Sequence, residues 1–251
     1  VAAYYEIRDY EKMFKTADES REFVRQLALA FPAVPGLTVA VFPPFTALSA
    51  VQGLDAKVRI GAQNVFYQEQ GAFTGEISPR MLSGLAEFVL VGHSERRQIF
   101  GEGDEEVNRK LRAALAAGLK PVLCLGETLP ERESGQTLDK VRLQLQRGLA
   151  GVAAGDWERI AVAYEPIWAI GTGRNATPEQ AQEVHLFLRG LLREMAPGAR
   201  PPLLYGGSVK PENSLELLSQ PDVSGVLVGG ASLKVDPFSA IIHSGVKLLG
   251  A

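Results

Sequence analysis

Glu165 ends a strand-like run, residues 160–164, and leads into EPIWAIGTGRNA before Thr177 opens a helix. A strand-to-helix connection usually takes about two to six residues. This one is longer and rich in glycine, yet it carries Ile167, Trp168 and Ile170. A carboxylate followed by such a loop suits a base that works beneath a movable cover. Other reactive side chains are few. His93 follows FVLVG (88–92), Gly206, Gly207 and Ser208 end one apolar run, Gly229 and Gly230 end another, and Lys12 follows the first dozen residues. A carboxylate and a neutral imidazole on either side of a small carbonyl compound suit proton abstraction next to the carbonyl. The imidazole and a lysine would stabilise the enediolate oxygen. Backbone N–H groups in the glycine loops, with a helix start at 231–232, would form an anion cradle. An enediolate with a phosphate one carbon away eliminates that phosphate unless water and flexibility are excluded, so a lid is required.

Each residue alone has a plainer reading. A single histidine at a strand end is more often packed than catalytic, and a lone glutamate there is usually a surface or capping group. The GTG at 171–173 and the GGAS at 229–232 are weak motifs, because glycines commonly serve turns. Lys12 reads most simply as a solvated lysine. Their convergence on one rim changes that reading, and convergence depends on the elements that carry them.

Short β-branched runs recur: LTVAVF (37–42), VRIGA (58–62), FVLVG (88–92), PVLCLG (121–126), IAVAY (160–164), PLLYGG (202–207) and GVLVGG (225–230). Several are apolar at nearly every position, as expected for parallel strands buried on both faces. Helical patterns separate them, one through Phe23, Leu27 and Phe31, another through Leu138, Val141 and Leu145, a third through Ala181, Val184 and Leu188. An eighth strand must come from the first dozen residues. The alternation predicts an α/β fold, an eight-stranded parallel (β/α)8 TIM barrel, as a single domain over residues 1–251. A doubly wound open sheet would leave strands over. In such a barrel His93, Glu165, Ser208, Gly229, Gly230 and Lys12 all fall at strand C-terminal ends, on one rim.

Of the 251 residues, 46% are hydrophobic and 22% charged, with a net charge of −3 and no long basic stretch, so nucleic acid and anionic membranes are not expected as partners. No apolar run approaches the ~20 residues needed to cross a bilayer. The first residues lack a signal-peptide pattern, and a cytoplasmic location is the default expectation. One cysteine, Cys124, excludes an internal disulfide framework and fits a small buried residue; His185 and His243 read as structural, and no metal site is expected.

Five segments carry a specific resemblance: VGHSERRQIFGE (91–102), CLGE (124–127), YEPIWAIGTGRNATPEQ (164–180), YGGSV (205–209) and VGGASL (228–233). They resemble the triosephosphate isomerase family, in order, from about Lys12 to the C-terminus. GAQNVF (61–66) and GAFTGEIS (71–78) are similar to that family's third loop. The resemblance implies that Glu165 is the base in interconverting dihydroxyacetone phosphate and glyceraldehyde 3-phosphate, in glycolysis and gluconeogenesis. It implies that His93 is a neutral electrophile whose pKa is lowered by a helix N-terminus, the role described for this enzyme family. Lys12 would offset phosphate and oxyanion charge, and Glu95 would be a supporting carboxylate. Gly171, Ser208, Gly229 and Gly230 would hold the phosphate, and residues 166–176 would be the lid, with Ile170 and Leu227 drying the space around Glu165. Contacts of Trp168 with Glu127, and of Ala176 with Tyr205, would exchange as the lid moves. No cofactor or metal is implied. A homodimer is, with Gln63, Asn64, Thr74 and Glu76 in an arm reaching a twin subunit near its Lys12.

The start of the chain departs from the family. Tyr10 and Glu11 stand where it has asparagine and tryptophan, and Arg8 and Asp9 replace small residues beside the barrel interior. Burying such charges unpaired costs several kcal/mol each, which sets an expectation about strand one. Three explanations stay open: a start not faithful to the gene, a divergence that displaces strand one outward, or lost activity. Two other functions also stay open. One is a non-catalytic phosphate-binding barrel. The other is a different phosphosugar barrel, although a Schiff-base aldolase would want a lysine within a late strand, and none is there.

Overall fold

The computed structural model describes residues 5–9, 11–170 and 175–251. The expected barrel is present. Strands β1 (Tyr5–Asp9), β2 (Leu37–Val41), β3 (Val58–Ala62), β4 (Phe88–Val91), β5 (Lys120–Leu125), β6 (Ala161–Tyr164), β7 (Leu203–Tyr205) and β8 (Gly225–Val228) pair in parallel in chain order. The ring closes through β1 and β8, with Arg8 opposite Leu227 and Asp9 opposite Val228. Helices alternate with the strands, among them Ala17–Leu29, Asp104–Ala116, Thr137–Gly148, Pro178–Met195 and Val235–Leu248. Among the described residues no helix is long and apolar enough to cross a membrane.

Local chemistry sets the boundaries. Thr177 accepts a hydrogen bond from the Gln180 N–H at 3.2 Å, the Gln180 side chain accepts from the Thr177 N–H at 3.0 Å, and Pro178 takes the first helical position. That reciprocal cap satisfies two donors that a helix start otherwise leaves without partners. Thr16 and Glu19 cap Ala17–Leu29 in the same way. β4 stops at Val91 because Gly92 turns into the left-handed region at φ 72°, where a Cβ would also sit 2.8 Å from Val107.

Two apolar layers hold the barrel. The outer one joins the outward faces of the strands to the helices, through residues such as Ile7, Val39, Val91, Leu111, Val162 and Leu188. The inner one fills the barrel with Phe42, Phe88, Leu90, Val122, Cys124 and Leu227. Large and small residues are matched inside. The Phe42 ring occupies the space beside Gly61, where a Cβ would lie 2.2 Å from its Cε1.

β1 is not displaced outward. It keeps full register with both neighbours, and Ile7 is completely buried against the helices. The alternating residues Glu6 and Arg8 face the barrel interior and form an ion pair with each other. The Arg8 guanidinium lies 4.2 Å from the centre of the Phe88 ring, and Arg8 is opposite Ala40, whose small side chain leaves room. At Gly225 a Cβ would come within 1.9 Å of the Glu6 carbonyl oxygen, so β8 can approach β1 only as glycine. Asp9 accepts from the Phe42 N–H at 3.1 Å, and burial, reinforced by Glu11, pushes its carboxyl well above the usual range. Arg8 and Asp9 therefore each have a partner, although Arg8 Nε and Nη1 and one Asp9 oxygen are buried without one.

Removing one partner should expose the cost of the other. Glu6→Ala is expected to destabilise the fold by about 3–5 kcal/mol, and the double change Glu6→Leu with Arg8→Met to recover most of it. Urea unfolding followed by tryptophan fluorescence reads both, and a Glu6→Ala midpoint equal to that of the wild type would contradict a buried pair.

Candidate active site

Glu165 is held first through its backbone. Its N–H donates to Leu125 O at 2.7 Å, extending the β5–β6 ladder, and the Gly206 N–H donates to Tyr164 O at 2.7 Å from the other side. Gly126 makes this possible: a Cβ there would lie 1.7 Å from the Glu165 carbonyl oxygen. Gly206 likewise leaves room for the side chain, since its Cβ would stand 3.0 Å from Glu165 Cγ. The carboxylate is almost fully buried at 1% exposure. One oxygen accepts from the Ser94 N–H at 2.9 Å, and the other lies 2.9 Å from His93 Nε2.

His93 sits at the N-terminus of the helix Ser94–Ile99, and its Nδ1 accepts from the Glu95 N–H at 3.3 Å. An acceptor Nδ1 places the ring proton on Nε2, the ring nitrogen that lies beside Glu165. Burial opposes a charged ring, but the carboxylates of Glu165 and then Glu95 outweigh it and raise the His93 pKa above its ordinary value. This differs from the lowered pKa that the resemblance implied. There, imidazole and carboxylate face each other across a substrate, whereas here they touch. The helix start still acts in the implied direction, because the Glu95 amide needs a lone pair on Nδ1.

Lys12 reaches the same neighbourhood from the end of β1, with Nζ 2.5 Å from a Glu95 oxygen. Its backbone is left-handed at φ 52°, uncommon without glycine. Gln63 holds that turn by donating to Lys12 O at 2.9 Å and Phe42 O at 2.8 Å. Gln63 and Asn64 therefore make contacts within their own chain, Asn64 accepting from Lys110 at 3.2 Å, while Thr74 and Glu76 stand exposed. Sequence reasoning missed this role of Gln63, and it missed the Ser94 amide. A helix-start N–H lacks an intrahelical partner, which was the available signal for Ser94.

The remaining site positions follow from topology. Ser208 lies three residues past β7, and Gly229 and Gly230 immediately follow β8, beside the end of β1 that leads to Lys12. Residues Gly230–Leu233 form a short 3-10 helix, anchored by Ser232 donating to Val228 O and Gly229 O at 3.0 and 2.6 Å. Gly171 and Tyr10 lie outside the described residues. At the start of the expected lid, Trp168 Nε1 donates to Glu127 at 2.8 Å, where the Tyr164 hydroxyl also donates at 3.0 Å. Burial raises the Glu127 carboxyl, and these donors partly offset it. Buried Cys124 has its thiol pushed up by desolvation, and fully buried His185 is lowered to about 4 by the same cause. Both fit the structural roles expected of them. Among the described residues, no three His, Cys, Asp or Glu side chains are grouped to hold a metal ion.

The profile of the family described as triosephosphate isomerase matches residues 10–245. The triosephosphate isomerase of Carboxydothermus hydrogenoformans is 51% identical over 245 residues, covering 94% of this chain and 96% of that relative. That of Geobacter metallireducens is 50% identical over 240 residues, covering 92% and 95%. The chain belongs to the triosephosphate isomerase family. As a member of the triosephosphate isomerase family it is an enzyme, an intramolecular aldose–ketose isomerase. The matched profile begins one residue after β1, so the strand bearing Glu6 and Arg8 precedes the part recognised as triosephosphate isomerase.

If Glu165 raises the His93 pKa, neutralising it must reverse the shift. In Glu165→Gln burial becomes the dominant influence, and His93 is expected to titrate below the wild-type ring, falling under the ordinary value of about 6.5. Histidine ring nitrogen NMR measures this directly. An unchanged or higher pKa would refute the assigned cause.

Proposed function

We propose that the chain interconverts dihydroxyacetone phosphate and glyceraldehyde 3-phosphate through an enediolate, with Glu165 as base and His93 as electrophile. The observation that carries this reading is the 2.9 Å approach of the Glu165 carboxylate to His93 Nε2 at the strand ends, in a member of this family. Substrate binding requires the carboxylate to leave Ser94 and His93 and face the substrate carbon. That movement also removes the strongest influence favouring a charged imidazole, so His93 meets the carbonyl as a neutral donor through Nε2. Lys12 compensates phosphate and oxyanion charge, and Glu95 holds its ammonium in place. Gly171, Ser208, Gly229 and Gly230 bind the phosphate, and residues 166–176 close as the lid. The proton passes between two substrate carbons by way of Glu165, so the step needs no metal or organic cofactor.

On this reading residues 1–251 act as one domain in the cytoplasm, in glycolysis and gluconeogenesis, without nucleic-acid or membrane partners. The working form is a homodimer. Exposure of Met13 at 96%, Phe14 at 55%, Phe73 at 43% and Met81 at 59% supports a partner surface around the third loop.

A coupled assay with glyceraldehyde 3-phosphate tests the reaction. Glu165→Asp retracts the carboxylate by one methylene and is expected to cut turnover by about a hundredfold with little change in fold. Deleting residues 170–173 is expected to release methylglyoxal by phosphate loss from an exposed enediolate. No turnover in the wild type, or full turnover in Glu165→Asp, would overturn the assignment. Sedimentation equilibrium should give twice the mass of one chain, and a monomer at assay concentrations would remove the dimer from the proposal.

A further inference from the structure

The opposite end of the barrel holds a second polar hollow. There the first residues of the strands enclose a cavity of about 370 Å³. Its wall carries five cations, Arg8, Arg59, Lys120, Arg159 and Arg200, against three carboxylates, Glu6, Glu87 and Glu158. In a chain of net charge −3, this is a local concentration of positive charge.

The carboxylates do not use up the cations. Glu87 serves both Lys120, at 2.8 Å, and Arg59, at 3.6 Å. Glu6 engages one nitrogen of Arg8, whose Nε and Nη1 remain buried without a hydrogen-bond partner although Arg8 is only 2% exposed. Glu158 accepts from the Arg200 backbone N–H at 3.4 Å, and the Arg200 guanidinium makes no ion pair with a described residue. Arg159 is paired at 2.7 Å with Asp156, just outside the wall, and it also donates to Leu115 O and Leu119 O. Buried guanidinium N–H groups without acceptors are costly, and the planar fork of arginine matches the oxygens of a phosphate.

We infer that this cavity binds a doubly charged inorganic oxyanion of the phosphate class. The anion receives the free N–H groups of Arg8 from within the barrel and the guanidinium groups of Arg59 and Arg200 from its mouth. It ties β1 to β3 and to the entry of β7, which strengthens the one strand with charged interior residues. The site is separate from the strand ends that bear Glu165 and His93, and its occupancy does not depend on the proposed reaction.

Titration of the full chain with inorganic phosphate, followed by backbone amide NMR against sodium chloride of equal ionic strength, tests the site. Saturable shifts are expected at Phe88, Lys120 and Ala161, with a midpoint distinct from that of shifts at Gly229 and Gly230. Arg200→Ala and Arg59→Ala, both at the open mouth, should each weaken the first set about tenfold. They should leave the second set and triose phosphate turnover unchanged. Shifts confined to Gly229 and Gly230, shifts reproduced by chloride, or a midpoint unaffected by Arg200→Ala would each overturn the inference.

Discussion

The backbone of Glu165 is pinned between two strands, and the site depends on that restraint. Its N–H bonds to Leu125 O, while the carbonyl one residue earlier receives the Gly206 N–H, both at 2.7 Å. Neighbouring strands can come so close only because Gly126 lacks a side chain. The carboxylate thus hangs from the strand ring, and the chain beyond it continues through Pro166 to an Ile167 N–H that donates to Glu127 O at 3.0 Å.

The rim around it is an electrostatic compromise. Glu165 and Glu95 both face His93, and Lys12 lies against Glu95. Two carboxylates near one imidazole favour its proton, while burial and the Glu95 amide disfavour it. The balance is therefore set by where the Glu165 carboxylate rests. Any movement of that group would change both its own surroundings and the charge preference of the ring, so the two side chains are coupled by geometry. Lys12 takes part from a strained turn, since its left-handed backbone costs of order 1–3 kcal/mol. The two carbonyls bridged by Gln63 show how the surrounding structure holds that turn.

Much of this was legible before any coordinates, and for a definite reason. Strands covered on both faces read as largely apolar runs, so β2 to β8 stood out, and their number and alternation with helices favoured a closed parallel ring over a doubly wound open sheet. The ring then placed His93, Glu165 and Gly229 at one end without further information. What escaped was contact across the ring. Ser94 and Glu165 are 71 positions apart, and neither residue's sequence neighbours announce the hydrogen bond between them. The direction of the His93 shift escaped for the same reason, because it depends on where one carboxylate rests. Gln63 was read only as part of the third-loop arm, and its donation to the Lys12 carbonyl of its own chain went unforeseen.

β1 shows how far a barrel interior tolerates polar substitution. Its period-two pattern turns Glu6 and Arg8 inward and Ile7 outward, so strand geometry alone brings opposite charges to the same face two residues apart. Their mutual attraction offsets part of the cost of burial, and Phe88 supplies a flat face beneath the guanidinium. Packing then has to yield around them: Ala40 lies opposite Arg8, and Gly225 lets β8 close against the strand. The end of β1 leading to Lys12 is fixed differently, by the Phe42 N–H donating to Asp9 and the Glu11 N–H donating to Phe42 O. The charged start and the Lys12 end are therefore held by separate interactions, which is how a strand with so unusual an interior still delivers Lys12 beside Glu95.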